Sequence, residues 1–283
     1  MVLSPLMSTF DPMPLLRDAF PTYSGSPTPV HLAGDASNRV YHRLHLGGGG
    51  EWPESAVVMQ IGGDPLKSNE ATGGSRPLEL PFLSVQRYLA ALELPVPTIY
   101  AFDAANGLML LEDLGDEMLF CALENASPDE RLAQYADALD LLVEFQRRTA
   151  RLAPPTVVAE QRFEPAFLDW ELEHFREYGL KRPFRGAEIP VWERAKRTIV
   201  ERIAQTPYIV VHRDFQSRNL MRHAGRLYLI DFQDALFGPT SYDLVALLRD
   251  SYIDLDEGSV DALLEAYLGR LEPAELPRGA DAF

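Results

Sequence analysis

The segment from Val211 to Phe232 constrains this chain more than any other. It reads Val211-His212-Arg213-Asp214-Phe215-Gln216-Ser217-Arg218-Asn219-Leu220, then Leu227-Tyr228-Leu229-Ile230-Asp231-Phe232. An apolar strand ends at His212, Asp214 follows in a loop, and Asn219 closes that loop. An apolar hairpin around Ala224-Gly225 then delivers Asp231 at its end. Two carboxylates and one amide oxygen so arranged stand at the mouths of short strands. Hard oxygen donors of this kind suit Mg²⁺, which takes one or two carboxylates together with substrate phosphates. Asp214 is then left to accept a proton from an attacking hydroxyl. A charged surface turn with a helix cap would explain any one of these residues. It does not explain three polar positions, their spacing and their flanking strands together. His212 alone would read as a satisfied structural histidine.

Composition limits the partners. The chain has 283 residues, 46% hydrophobic and 24% charged, which is ordinary for a globular protein of two domains or one large one. Lys and Arg total 26 against 42 Asp and Glu, a net charge of −16. Phosphate backbones and anionic membranes repel such a chain, so neither nucleic acid nor membrane is an expected partner; a local basic pocket stays compatible with that charge. Cys121 is the single cysteine. It forms no internal disulfide or cysteine zinc site, and fits a reducing compartment. No apolar run approaches the ~18 residues of a membrane span. Met1 to Phe20 carries Pro5, Asp11, Pro12 and Pro14 where a signal peptide needs a basic end and an unbroken apolar stretch. The expectation is a soluble, cytoplasmic protein.

The first third reads as strands. Val40–Leu46 and Ser55–Ile61 flank the four-glycine turn Gly47–Gly50, and Gly62–Pro77 reads as loop. Leu80–Leu94 predicts a helix stopped by Pro95 and Pro97. Thr98–Asp103 and Leu108–Glu112 form a strand pair around Asn106-Gly107. Beyond Gly115 the pattern turns helical. Ser127-Pro128-Asp129-Glu130 is a capping box with Pro at the first helical position. Leu132, Tyr135, Ala136, Leu139, Leu142 and Val143 follow at helical spacing. Phe167 to Tyr178 and Trp192 to Ile203 predict two further helices. Ile209–Val211, Leu220–Arg222 and Leu227–Ile230 predict short strands, and Tyr242–Arg249 and Val260–Leu271 predict the last helices. The expected fold is α+β: a small β-rich lobe over residues 1–115, then a larger α-rich lobe over 116–283.

The pattern His-x-Asp-x-x-x-x-Asn, followed by an apolar strand and Asp-Phe, resembles the catalytic loop and metal motif of the protein-kinase-like fold. The resemblance implies a bilobal protein-kinase-like fold, an antiparallel N-lobe and a helical C-lobe. It implies Asp214 as catalytic base, Asn219 and Asp231 as magnesium ligands, and His212 as a residue orienting the loop. Asp231 runs to Tyr242-Asp243 in a few residues, which leaves no room for a regulatory loop or a peptide platform. Asp-Phe-Gln-Asp-Ala from Asp231, Gly238-Pro239 and Tyr242-Asp243-Leu244 resemble the aminoglycoside phosphotransferase and choline kinase superfamily. Within it, with Leu247-Leu248-Arg249-Asp250, the wording is most similar to bacterial anomeric N-acetylmuramate/N-acetylglucosamine kinases. The resemblance spans about Gly34 to Leu271 and is dense only over Ile209–Tyr252. It implies ATP and Mg²⁺ as cofactors and a small-molecule hydroxyl as acceptor. Asp243 is expected to start a helix and fix the catalytic loop by hydrogen bonds.

On the nucleotide side the resemblance is thinner. Gly34, Ala36 and Ser37 lie where the fold places its phosphate-covering loop, with one glycine only. The backbone from Glu112 to Leu114 stands where the adenine edge would be met. The lysine usual on the third strand is missing, and Gln60 stands near its position. Lys67, Arg39 and Arg43 are the nearby cations. The chain ends at Phe283, where the family continues with helices over the acceptor, so the C-terminal lobe is expected to be short or truncated. An aminoglycoside- or choline-type kinase would suit the acidic charge, and the missing lysine motivates a non-catalytic nucleotide-binding pseudokinase. A carboxylate-bridged metallohydrolase using His212, Asp214 and Asp231 lacks further histidines at ligand spacing. Nothing in the sequence sets an oligomeric state.

Overall fold

Strand-forming runs in the first third become one sheet. The computed structural model describes residues 10–32, 39–62, 79–272 and 275. The chain divides into two units, residues 1–76 with 97–115, and residues 77–96 with 116–283. The first unit opens with α1 (Met13–Ala19), followed by β1 (Val30–Leu32), β2 (Arg39–His45), β3 (Ser55–Ile61), β4 (Ile99–Asp103) and β5 (Leu108–Glu112). They form a five-stranded antiparallel sheet in the order β1-β2-β3-β5-β4. Asn106-Gly107 turns the β4–β5 hairpin, with Gly107 at φ 62°, a conformation cheap for glycine.

β3 is central, and its residues Ala56 to Met59 are buried on both faces. On one face Ala56 and Val58 meet Leu44, Leu46, Ala101, Leu108 and Leu110, and α1 adds Leu15 and Leu16 to that core. The reading of the sequence missed both α1 and β1. They are 7 and 3 residues long, too short for periodicity to stand out.

One buried ion pair ties β2 to the segment after β5. Arg43 Nε and Nη2 donate to the Asp113 carboxylate at 2.6 and 2.9 Å, and Gly115 N donates to it at 3.0 Å. The two side chains are 14% and 4% exposed. Burial pushes the Asp113 carboxyl up, but hydrogen bonds from Arg43, Ser55 and Gly115 outweigh it and hold it below the usual range. Arg43, one of the nearby cations of the sequence, thus has its guanidinium bound to Asp113.

The second unit begins with α2 (Pro81–Ala91), which stops ahead of Pro95. Then come α3 (Leu119–Glu124), α4 (Pro128–Thr149), α5 (Thr156–Ala159), α6 (Pro165–His174) and α7 (Glu188–Ala204). The capping box forms: Glu130 N donates to Ser127 Oγ and Ser127 N to Glu130 Oε2. α4 buries Tyr135, Ala138, Leu139, Leu142 and Phe145 at 0% exposure and is the central helix of this unit. The helix predicted to reach Tyr178 ends earlier, in a single π-turn over Phe175–Gly179. α6 and α7 are clamped by Lys196, whose Nζ lies 2.9 Å from Glu173, 3.1 Å from Asp169 and 3.4 Å from Glu193.

Two small antiparallel pairs carry the segment singled out in the sequence. β6 (Tyr208–Val211) pairs with β9 (Leu236–Pro239), and β7 (Leu220–His223) pairs with β8 (Arg226–Leu229) around Ala224-Gly225. β9 approaches closely because residue 238 is glycine. A Cβ there would lie 2.8 Å from Val211 and 2.9 Å from Phe163. α8 (Tyr242–Leu248) and α9 (Glu257–Leu268) follow. No helix among the described residues is long and apolar enough to cross a membrane.

Arg43→Met leaves the Asp113 carboxylate buried without its cation and is expected to lower the stability of the first unit by about 3 kcal/mol. The pair's contribution is present above the unfolded carboxylate range, near pH 4, and is lost as pH falls through the depressed pKa of Asp113. Urea unfolding at pH 7 and pH 3 checks both statements. A pH 7 midpoint equal to that of the unaltered chain, or a difference at pH 3 as large as at pH 7, would refute them.

Candidate active site

A buried carboxylate sets the backbone after β6. Val211 and His212 are fully buried, and Asp243, in the first turn of α8, is 1% exposed. His212 N donates to Asp243 Oδ2 at 2.7 Å and Arg213 N to Oδ1 at 3.0 Å. Arg213 has φ 80°, an uncommon conformation for a residue with a side chain. Two charge-assisted bonds to the amides at and beside this position offset that cost. Burial pushes the Asp243 carboxyl up to about 7, with the charge of Asp214 adding and the two amide bonds opposing. The expected role of Asp243 in fixing the loop is visible in these bonds.

The loop closes on itself through Asn219. Its Nδ2 donates to the Asp214 carbonyl at 2.9 Å, and its backbone N donates to Gln216 O at 2.9 Å. A carbonyl only accepts, so the amide NH₂ faces it and Oδ1 is the oxygen left to bind a ligand. Ile230 N in turn donates to Asn219 O at 3.0 Å. Asp214, Asn219 and the residue before Asp231 are thereby joined in one hydrogen-bonded frame.

His212 adds the second tie. Its Nε2 stands 3.0 Å from Ile230 O, so Nε2 carries the proton. Nδ1 is buried with no partner among the described residues. Burial pushes the imidazole down to about 4, against the opposing charge of Asp231 and the bond to Ile230. The ring is neutral near pH 7 and acts as a strut between the loop and the strand end.

Asp231 leaves β8 at φ 61° and starts a 3₁₀ turn over Phe232–Asp234. Phe232 is fully buried and lies 5.0 Å from the Phe82 ring of α2. Asp231 is exposed, and Gln233 Nε2 donates to its carboxylate and to that of Asp234, both at 2.9 Å. Among the described residues no three His, Cys, Asp or Glu side chains gather as a metal group. The donors present are one carboxylate and one amide oxygen. That set fits Mg²⁺, which completes its shell with phosphate oxygens and water, because Asn219 Oδ1 and the carboxylate of exposed Asp231 are hard oxygen donors on a hydrogen-bonded backbone.

Asp250 completes the frame. Its carboxylate accepts from Ser217 N at 2.8 Å and Tyr252 N at 2.9 Å. The sequence flagged Asp250 as motif wording with no role attached. A carboxylate just past a helix is the available signal, and it names no partner by itself. The remaining sequence-derived positions lie elsewhere. Gln60 sits in β3 opposite Leu108 and Val40. Glu112 ends β5, its N–H donating to Thr98 O at 2.8 Å and its carboxylate accepting from Thr98 N and Oγ1, both at 3.0 Å. Leu114 is buried. Gly34, Ala36, Ser37 and Lys67 lie outside the described residues.

The His212 strut predicts a pH dependence. Between about 4 and 6.5 the unfolded chain protonates this ring and the folded chain does not, so stability falls as pH drops through that window. The raised Asp243 carboxyl works in the opposite sense, losing stability as pH rises toward 7. Comparing the unaltered chain with His212→Gln isolates the histidine. The variant is expected to lose about 2–3 kcal/mol less than the unaltered chain between pH 7 and pH 4.5. Parallel urea-unfolding profiles against pH would remove the assignment.

Comparison with known proteins identifies the family. Residues 30–281 match the family described as phosphotransferase enzyme family. The N-acetylmuramate/N-acetylglucosamine kinase of Pseudomonas putida is 31% identical over 205 residues, covering 71% of this chain and 58% of that protein. The protein of the same name from Pseudomonas aeruginosa is 33% identical over 252 residues, covering 88% of this chain and 67% of that one. The chain thus spans between about three fifths and two thirds of the length of these relatives. An ADP-bound aminoglycoside phosphotransferase matches with a TM-score of 0.54 at 17% identity, over 86% of this chain and 78% of that one. At that identity the likeness speaks for the fold alone, the α+β protein-kinase-like fold. With a family match reaching from β1 past α9 and the loop-and-strand frame inside it, the chain belongs to the phosphotransferase enzyme family.

Proposed function

We propose that this chain is an ATP-dependent kinase that moves the γ-phosphoryl group to a hydroxyl of a small cell-wall amino sugar, N-acetylmuramate or N-acetylglucosamine. The observation that carries the reading is the hydrogen-bonded frame joining Asp214, Asn219 and the Ile230–Asp231 strand end. Phosphoryl transfer needs positioning and charge stabilisation more than covalent chemistry, and a loop pinned by Asp243 and His212 supplies positioning. The names of the two relatives support the acceptor class.

In this reading Asp214 orients the acceptor hydroxyl and takes its proton as the new P–O bond forms and ADP leaves. His212 stays neutral and holds the loop. Asn219 Oδ1 and the Asp231 carboxylate would hold Mg²⁺, which when bound neutralises charge on the phosphate oxygens. Gln60 is proposed near the nucleotide phosphates in place of a lysine; the nucleotide role expected of Gly34, Ala36 and Ser37 falls outside the described residues. Glu112 and Leu114 are proposed at the adenine, through their backbone. Use of ATP as the phosphoryl donor supports a cytoplasmic location.

Asp214→Ala is expected to lower turnover roughly 10²–10⁴-fold with the acceptor KM little changed, the range for losing a general base. Near-normal turnover would remove Asp214 from the chemistry. Asp231→Asn keeps the left-handed backbone accessible but removes the charge, so its activity should demand a higher Mg²⁺ concentration. An unchanged Mg²⁺ titration would count against the metal role. Screening acceptors with labelled ATP tests the class: phosphorylation of aminoglycosides alone would eliminate the amino-sugar reading.

A further inference from the structure

Arg218 lies inside the loop that carries Asp214 and Asn219, yet the frame makes no use of it. Its guanidinium carbon sits 3.9 Å from the centre of the Tyr252 ring and 4.6 Å from that of Phe120. The two rings stand 6.0 Å apart at 70° to each other, so the cation is wedged between aromatic faces. Among the described residues no carboxylate or carbonyl takes its N–H groups. This contrasts with Arg43, Arg147, Arg249 and Arg270, each of which is paired with an acid.

The wedge is built from backbone outward. Asp250 accepts from Ser217 N and Tyr252 N together, which ties the backbone of the residue before Arg218 and that of Tyr252 to one carboxylate. On the other side Arg222 N donates to Glu117 O at 2.7 Å, and Met118 bridges Met221 antiparallel. That short pairing fixes the start of α3 and with it Phe120. Ring faces hold a guanidinium by its plane and leave its N–H edge to a ligand. A planar, unpaired N–H edge in a chain of net charge −16 is matched by a carboxylate, which it can bind with two parallel bonds.

We propose that Arg218 is the carboxylate-recognition residue of the acceptor site, and that it selects N-acetylmuramate over N-acetylglucosamine. The two sugars differ only in the lactyl ether that gives the former its carboxylate. This rests on the amino-sugar reading above. Phe120 and Tyr252 hold the guanidinium in place, and Asp250 positions Tyr252 relative to the loop.

The test compares kcat/KM for both sugars, with calorimetric titration of each, on the full chain. Arg218→Met is expected to lower the ratio of kcat/KM for N-acetylmuramate to that for N-acetylglucosamine roughly 10- to 100-fold, the worth of a charged hydrogen-bonded pair. The loss should sit in KM. Arg218→Lys keeps the charge without the planar fork and should recover part of the ratio. Tyr252→Leu, at a residue 44% exposed, should lower the ratio by a smaller factor. Equal losses for both sugars, or an unchanged ratio, would overturn the proposal while leaving the kinase reading intact. If neither sugar is phosphorylated, the kinase reading fails and calorimetry decides the subsite. N-acetylmuramate binding that Arg218→Met abolishes supports it; equal affinity for the two sugars, or none, overturns it.

Discussion

The site depends on one buried carboxylate. Asp243 takes the amides of His212 and Arg213, and those two bonds decide where the chain goes after β6. Without them Arg213 has no reason to hold a left-handed backbone, and Asp214 would leave β6 in another direction. The cost is considerable, since a carboxylate 1% exposed has given up its water. Two amide donors of fixed direction compensate. The rest of the frame follows from that first turn. Asn219 closes the loop, His212 reaches Ile230, and Phe232 buries beside Phe82, so Asp231 is presented by a backbone held on both sides.

Much of this was legible because motif, spacing and strand context repeat the same message. The apolar runs before His212 and Asp231 are strands, Ala224-Gly225 is the turn between β7 and β8, and the Ser127 capping box starts α4. Asp243 could be read as a loop anchor because it is a carboxylate that opens a helix soon after the His212–Asn219 loop. The antiparallel sheet of the first unit followed from short strand-forming runs and the Asn106-Gly107 turn.

What escaped was local or relational. α1 carries just two buried leucines, and what matters is that they fall on the inner face of a sheet formed far along the chain. The π-turn at Phe175 does not register in a helical periodicity. Asp250 and Gly238 were visible as motif wording, but their reasons are steric and geometric. One carboxylate bridges two backbone amides, and one missing Cβ lets β9 close on β6. Such reasons exist only once the partners are adjacent.

The left-handed backbone of Asp231 narrows what evolution can put there. Beyond glycine, asparagine and aspartate are the residues that adopt φ near +60° most readily, and aspartate alone among them brings an anion. Exchange of aspartate for asparagine here would therefore remove the negative charge while leaving the turn undisturbed.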